Sequence, residues 1–476
     1  MELDSLQKKY PEFIYESFRW EITGEDLCAE FKFIVGDIAF SPSVVIRGVD
    51  SARIQSIGKG PLDNLIFNIG LAEIPSYWKA VCSPKILVKA GYLDNGQISF
   101  WRDLISNMGQ FFYENNLPFL APEILTNIQK REKFSIFDAE LTDRYLVPMG
   151  GGKDSLVTFE LLKEYFREKP FAGARSGEKV VTFTLNANPA LTAVIGVAGA
   201  KNVYVERKID PRLLELNKLG YFNGHTPFSS ILAVLGVALD VIFDCRYTAI
   251  SQERSSNEGN TVYRKKKINH QYTKTIDFEN KFRSYSKKYL AKNADFFSFL
   301  RPLYEFQIAM LFSNYPQYFD TFLSCNKAYT IANRQNNAGW CGNCAKCLSI
   351  FVMVYPFIGE AGVMRVFRQD LFKNAGLLPL MREMLGEAAC KPFECIGTIN
   401  ETRAAFYLSL KLARKENPAG LPVLLQIFEN QYLPNYRDIE KNTAAILNAW
   451  ENKNNLPKDL QTSLKNALKK AALDKI

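Results

Sequence analysis

The run Met149-Gly150-Gly151-Gly152-Lys153-Asp154-Ser155 concentrates residues that can do chemistry. Three successive glycines let backbone N–H groups approach an anion closely. The run follows an apolar stretch, Tyr145-Leu146-Val147, and precedes the apolar-periodic Leu156-Val157-Thr158-Phe159-Glu160-Leu161-Leu162, so it reads as the turn between a strand and a helix. A helix start adds partial positive charge and unpaired donors. Gly150, Gly151, Gly152, Lys153, Asp154 and Ser155 are therefore expected to cradle the phosphates of a nucleotide. The competing reading is an ordinary glycine turn capped by Asp154 or Ser155.

The cradle is not a Walker A loop, because Asp154 follows Lys153 where Ser or Thr is required and no glycine holds the first Walker position. It resembles instead the S-G-G-x-D-S loop of enzymes that cleave ATP to AMP and pyrophosphate. Gly150 stands at the usual first serine, so one hydroxyl donor is missing.

Cys341, Cys344 and Cys347 form C-x2-C-x2-C, with Cys325 the natural fourth ligand. Four thiolates so spaced suit a structural zinc ion, with an iron–sulfur cluster as the alternative. Cys28, Cys82, Cys245, Cys390 and Cys395 are scattered, and apolar packing is their default reading. The first nine residues carry no apolar signal core, which leads to the expectation of a reducing, cytoplasmic setting.

Histidine occurs twice, as His225 and His270. Both fall in polar tracts where loops after strands are expected, Gly220–Ser229 and Asn257–Lys274. Either could move a proton near neutral pH, with Lys274 and Glu258 as further candidates. Thr226, Asn257, Asn260, Thr261 and Arg301 offer hydrogen bonds to phosphates, carboxylates and sugars and are the candidate substrate contacts. The bland reading of each histidine is a helix cap or a loop residue satisfied by its neighbours.

These residues need elements to hold them. Over 131–360 candidate strands at Tyr145–Val147, Val180–Leu185, Val203–Val205 and Tyr247–Ile250 alternate with helices such as Ser229–Leu239. This predicts an α/β fold with a parallel sheet covered on both faces, its ligands beyond the carboxyl ends of the strands. Residues 1–130 read as a small α+β domain, with hairpins near Glu30–Phe33 and Val44–Ile46 and helices near Tyr77–Ala80 and Trp101–Ile105. Residues 361–476 read as helical, with Ala405, Leu408 and Leu412 on one face and Leu460, Leu464 and Leu468 on another.

The 476 residues allow two to four domains, and 47% hydrophobic with 23% charged residues is ordinary for a globular protein. The longest apolar run, Ile231–Leu239, falls far short of the roughly 20 residues of a membrane span, and no membrane role is expected. A net charge of +9 favours anionic partners in general. No arginine-rich block argues for nucleic acid, and Arg264-Lys265-Lys266-Lys267 reads as a solvated surface run. Oligomeric state is not legible.

Several runs together resemble one bacterial family. They are Leu71–Ala80, the cradle Pro148–Ser155, Gly224-His225-Thr226-Pro227-Phe228-Ser229, Asn257-Glu258-Gly259-Asn260-Thr261, Asn269–Tyr272, Phe297–Glu305 and Trp340-Cys341-Gly342. The family is that of the UDP-N-acetylmuramoyl-L-alanyl-L-glutamate epimerases of peptidoglycan synthesis, and the resemblance spans roughly 65–360. It implies a PP-loop (HUP-like) nucleotide domain with ATP and Mg2+, and inversion of the terminal glutamate of a UDP-N-acetylmuramoyl dipeptide from L to D. The cradle and cysteines also resemble the deazaguanine synthases, which would imply an amide-forming or thiolating ligase. Their cysteine spacing is shorter and the histidine tracts do not fit them. A binding module that senses nucleotide without turnover is the non-enzymatic rival, and Asp154 with the two histidine tracts speaks against it.

Overall fold

Apolar residues alternate along Asp26–Val35 (β2), so Leu27, Ala29, Phe31, Phe33 and Val35 share one face and all are buried. This strand pairs antiparallel with Glu12–Thr23 (β1) across the turn at Gly24 and Glu25. The computed structural model describes residues 1–126, 133–168, 179–269, 272–325, 327, 339–418 and 420–475. Ile38–Phe40 (β3) and Ser43–Ile46 (β4) join β2 antiparallel, and Lys85–Val88 (β5) and Glu123–Thr126 (β6) extend the other edge in parallel with β1. The helix Lys59–Trp78 packs across β1 and is buried from Leu62 onward at nearly every position.

The expected parallel strands follow: Tyr145–Pro148 (β7), Val180–Leu185 (β8), Asn202–Lys208 (β9) and Tyr247–Ile250 (β10). A hairpin, Thr261–Tyr263 (β11) with Lys266–Ile268 (β12), and a further parallel strand, Asp295–Ser298 (β13), complete the set. The order β13-β10-β7-β8-β9 is parallel throughout, and β9 then pairs antiparallel with β4. One eleven-stranded sheet thus continues across the boundary expected near residue 130.

Its two faces bury different cores. Leu146 faces the core built with the N-terminal strands and the helix Phe228–Ile242. Tyr145 and Val147 face the one built with the helices Lys153–Glu168, Glu305–Phe312 and Ala345–Phe367. The C-terminal helices Ile399–Glu416 and Lys458–Lys475 close this second core; Leu460, Leu464 and Leu468 are buried as the periodicity predicts, whereas of Ala405, Leu408 and Leu412 the alanine is buried and the two leucines are half-buried at its edge. Strand β13 escaped the sequence reading because Phe296 and Phe297 are buried on opposite faces, which erases the alternation. The basic run Arg264–Lys267 sits on the exposed hairpin, with Arg264 and Lys265 at positive φ in its turn.

Ala345–Phe367 is long and apolar enough to cross a membrane by length and composition, but two thirds of it is buried inside the protein and Gly359 breaks its helical backbone.

The position of β7 matters most. From it the chain winds to β8 and β9 on one side, then returns to lay down β10 and β13 on the other. The crevice at the carboxyl ends of β7 and β10 is therefore a topological switch point, where open α/β sheets bind ligands.

Candidate functional site

A cavity of about 460 Å³ opens at that switch point. Its floor is the glycine loop after β7, since the helix Lys153–Glu168 starts directly beyond Gly152. Gly151 adopts φ +80°, which favours glycine. Its carbonyl accepts from the Leu323 backbone N–H at 3.0 Å, and the Ser155 hydroxyl donates to the Gly152 carbonyl at 3.0 Å. Gly150, Gly152, Asp154 and Ser155 line the cavity. Phe183, Leu185, Ile250 and Leu232 give it apolar walls.

Lys153 points away from the cavity. Its ammonium is fully buried, bonded to Asp154 and 3.3 Å from Glu305. Burial opposes that charge, but Asp154 and Glu305 hold the lysine pKa above its usual value. Glu305 also faces Lys346 at 3.3 Å. Burial pushes its pKa up, yet the two lysines pull it down to about 2. This buried Lys–Glu–Lys group fastens the start of the cradle helix to the helix that begins at Ala345.

That second helix starts at the cysteine cluster, with Cys344 as its N-cap and Cys347 in its first turn. The Sγ atoms of Cys325, Cys341, Cys344 and Cys347 lie within 4.8 Å of one another, with 3.5 Å between Cys344 and Cys347 and 3.6 Å between Cys341 and Cys347. These four could hold a metal ion. They sit just behind the cradle, because Leu323 bonds Gly151 and a Cβ at Gly152 would lie 2.5 Å from Ser324 Oγ.

His225 and Lys274 both line the cavity. Burial, then Lys79 and Lys274, depress the His225 pKa to about 4, so its imidazole is neutral at neutral pH. The loop bearing it is clamped by Lys79, whose ammonium donates to the Gly224 carbonyl at 2.5 Å and to Thr226 Oγ1 at 2.7 Å. Lys79 lies in the run Leu71–Ala80, which reads in sequence as part of a helix and as part of the family resemblance, without a site role for the lysine. His270 lies outside the described residues.

The remaining candidates hold loops and do not line the cavity. Asn257 accepts from the Ile276 N–H at 3.1 Å, and Asn260 donates to the Pro392 carbonyl at 2.7 Å. Glu258 is paired with Lys391 at 2.9 Å and accepts from the Ile399 N–H. Thr261 begins β11. Arg301 is fully buried: it pairs with Glu279 at 3.0 Å and donates to the Glu253 and Lys274 carbonyls, to Ser256 and to Gln252. It thereby ties together two segments that line the cavity.

Among the lining residues not singled out as candidates from sequence are Gln252, Glu253 and Lys346, and Cys395, expected to pack among apolar residues, lines the cavity as well. Gln252 and Glu253 stand just past the end of β10, a position the switch-point rule could have flagged. No local spacing sets Cys395 apart from the other scattered cysteines.

Residues 4–299 match the family described as the MurL N-terminal domain, and residues 321–440 match the MurL C-terminal domain. The chain is 31% identical over 353 residues to a UDP-N-acetyl-alpha-D-muramoyl-L-alanyl-L-glutamate epimerase of Micromonospora, covering 73% of this chain and 74% of the relative. It is 30% identical to the protein of that name from Salinispora tropica, over 70% of each, and 27% identical to that from Xanthomonas oryzae pv. oryzae, over 77% and 78%. No solved structure matches significantly.

Proposed function

The chain belongs to the MurL family of epimerases and is an isomerase, and from that premise we propose that it inverts the terminal L-glutamate of UDP-N-acetylmuramoyl-L-alanyl-L-glutamate at the cost of ATP, releasing AMP and pyrophosphate. One observation carries the reading. The glycine loop and His225 line a single cavity at the switch point of the parallel sheet, where a phosphate group and a proton carrier would meet.

The chemistry requires both. An α-proton beside a free carboxylate is very weakly acidic, because its removal builds a second negative charge. The glutamate nitrogen is acylated and cannot form a Schiff base. Adenylation of the carboxylate removes its charge and acidifies the α-carbon, and hydrolysis afterwards restores the acid. The backbone N–H groups of Gly150–Gly152 and the helix start at Lys153 would hold phosphate oxygens. Asp154 and Glu253 are carboxylates on the cavity wall that would hold Mg2+, which neutralises phosphate charge when bound. Neutral His225 is suited to accept a proton. In this division of labour residues 131–360 form the PP-loop ATP-binding domain, residues 1–130 brace the histidine loop through Lys79, and residues 361–476 buttress the second core.

Incubation with ATP and the muramoyl dipeptide tests the reading. AMP should appear together with the D-epimer; inversion at full rate without ATP would refute it.

The cysteine cluster is proposed to hold a structural zinc ion. The sulfur separations approach the roughly 3.8 Å edge of a tetrahedron with bonds of about 2.3 Å, whereas a four-iron cluster would spread its four thiolates wider. Its place behind the cradle makes the metal a brace for the loop. Cys344→Ser should lower both the melting temperature and the zinc content, since metal-binding free energy is folding free energy. Freshly purified parent protein without zinc would contradict this assignment.

A further inference from the structure

Removing a proton on one face of a carbon and returning one on the other takes two carriers. Of the proton-carrier candidates read from sequence, His225 and Lys274 line the described cavity wall. Lys274 is poorly suited to accept a proton: burial opposes its charge, but Cys395 and Glu253 hold its pKa well above the ordinary value. Its ammonium donates instead to Cys395 Sγ at 3.2 Å, and Cys395 lines the same cavity. The Cys395 backbone is held as well, since its carbonyl accepts from Lys346. A second observation marks this wall as built for a ligand. Glu253 is only 4% exposed and lines the cavity, and no hydrogen bond to its carboxylate occurs among the described residues.

We infer that Cys395 is a catalytic residue, the proton carrier on the face of the α-carbon opposite His225, with Lys274 holding its sulfur. The inference rests on the epimerase reading of this cavity given above. In the L-to-D direction a His225 ring nitrogen forms an N–H bond as the α-C–H bond breaks. The electron pair moves onto the acyl oxygen of the activated carboxyl group, giving an enolate. The Cys395 S–H bond then breaks as a new C–H bond forms on the other face, and the electron pair left on sulfur lies beside the Lys274 ammonium. The imidazolium gives its proton to solvent and the thiolate takes one back, so no oxidant or reductant is consumed. His225 is the carrier that starts deprotonated, because its surroundings keep it neutral. In the D-to-L direction the roles exchange.

The test uses Cys395→Ala and Cys395→Ser with ATP in heavy water, starting from each dipeptide epimer. AMP release should stay within a few-fold of the parent, while inversion falls roughly 100-fold or more, the scale of general acid–base catalysis. The L-epimer should still exchange its α-hydrogen for deuterium with retained configuration, and the D-epimer should keep its hydrogen. His225→Ala should show the mirror pattern. A purely structural cysteine would not produce exchange confined to one epimer. Inversion by Cys395→Ser at the parent rate would overturn the inference, as would AMP release with no exchange in either epimer, or loss of AMP release. Failure of the unsubstituted protein to release AMP would instead refute the ATP-dependent reading on which it rests.

Discussion

Gly152→Val is expected to abolish AMP release while the protein stays folded. Gly152 lines the cavity in the last position before the cradle helix, where backbone must come within hydrogen-bond reach of phosphate. A Cβ there lies 2.5 Å from Ser324 Oγ, so a branched side chain forces that serine or the loop to shift. Ser324 adjoins Cys325, a buried residue of the four-cysteine cluster, which limits how far its backbone can yield. Asp154→Ala should give the same loss by a different route. It deletes a carboxylate from the cavity wall and leaves the buried Lys153 with Glu305 as its remaining ion-pair partner. Initial-rate measurement of AMP, with melting temperature as the folding control, checks both. Undiminished AMP release from Gly152→Val would remove the glycine loop from the mechanism.

Arg301→Met should cost more stability than any surface change, about 3–5 kcal/mol, because it strands a buried partner charge. Both Arg301 and Glu279 are inaccessible to solvent, and the guanidinium bonds the carbonyls of Glu253 and Lys274. Removing it leaves the Glu279 carboxylate without its cation, although Asn455 and the Ser298 N–H still donate to it. It also releases two segments that present Glu253 and Lys274 to the cavity. The midpoint of urea unfolding should therefore fall, and inversion should weaken even where the protein remains folded. An unchanged unfolding midpoint would contradict the role assigned to Arg301.

The parallel strands, the glycine turn and the cysteine cluster were legible because each has a local signature. A strand, a glycine turn and a helix start follow one another between Tyr145 and Lys153, and three of the four cysteines lie within seven positions. The cavity wall was only half legible. Glu253 and Glu258 are carboxylates five residues apart after the same strand. The chain turns Glu253 into the cavity and ties Glu258 to Lys391 and the start of the helix Ile399–Glu416. Cys395 comes from a loop more than 100 residues beyond Lys274, and only tertiary packing brings the two together. Arg301 shows the opposite case. Its charge suggests a ligand contact, but its donors go to the Glu279 carboxylate, to Ser256 and Gln252 and to the Glu253 and Lys274 carbonyls.

The most direct test of the account follows the α-hydrogen itself. The unsubstituted protein is incubated in heavy water with the L-glutamyl dipeptide, with ATP, without it, and with an analogue that cannot be cleaved between the α and β phosphates. The account predicts a D-glutamyl product carrying deuterium at its α-carbon in the presence of ATP, and unchanged L-glutamyl substrate retaining its hydrogen in the other two cases. Deuterium uptake without ATP, or a D-product that keeps its original α-hydrogen, would contradict activation by adenylation followed by proton exchange.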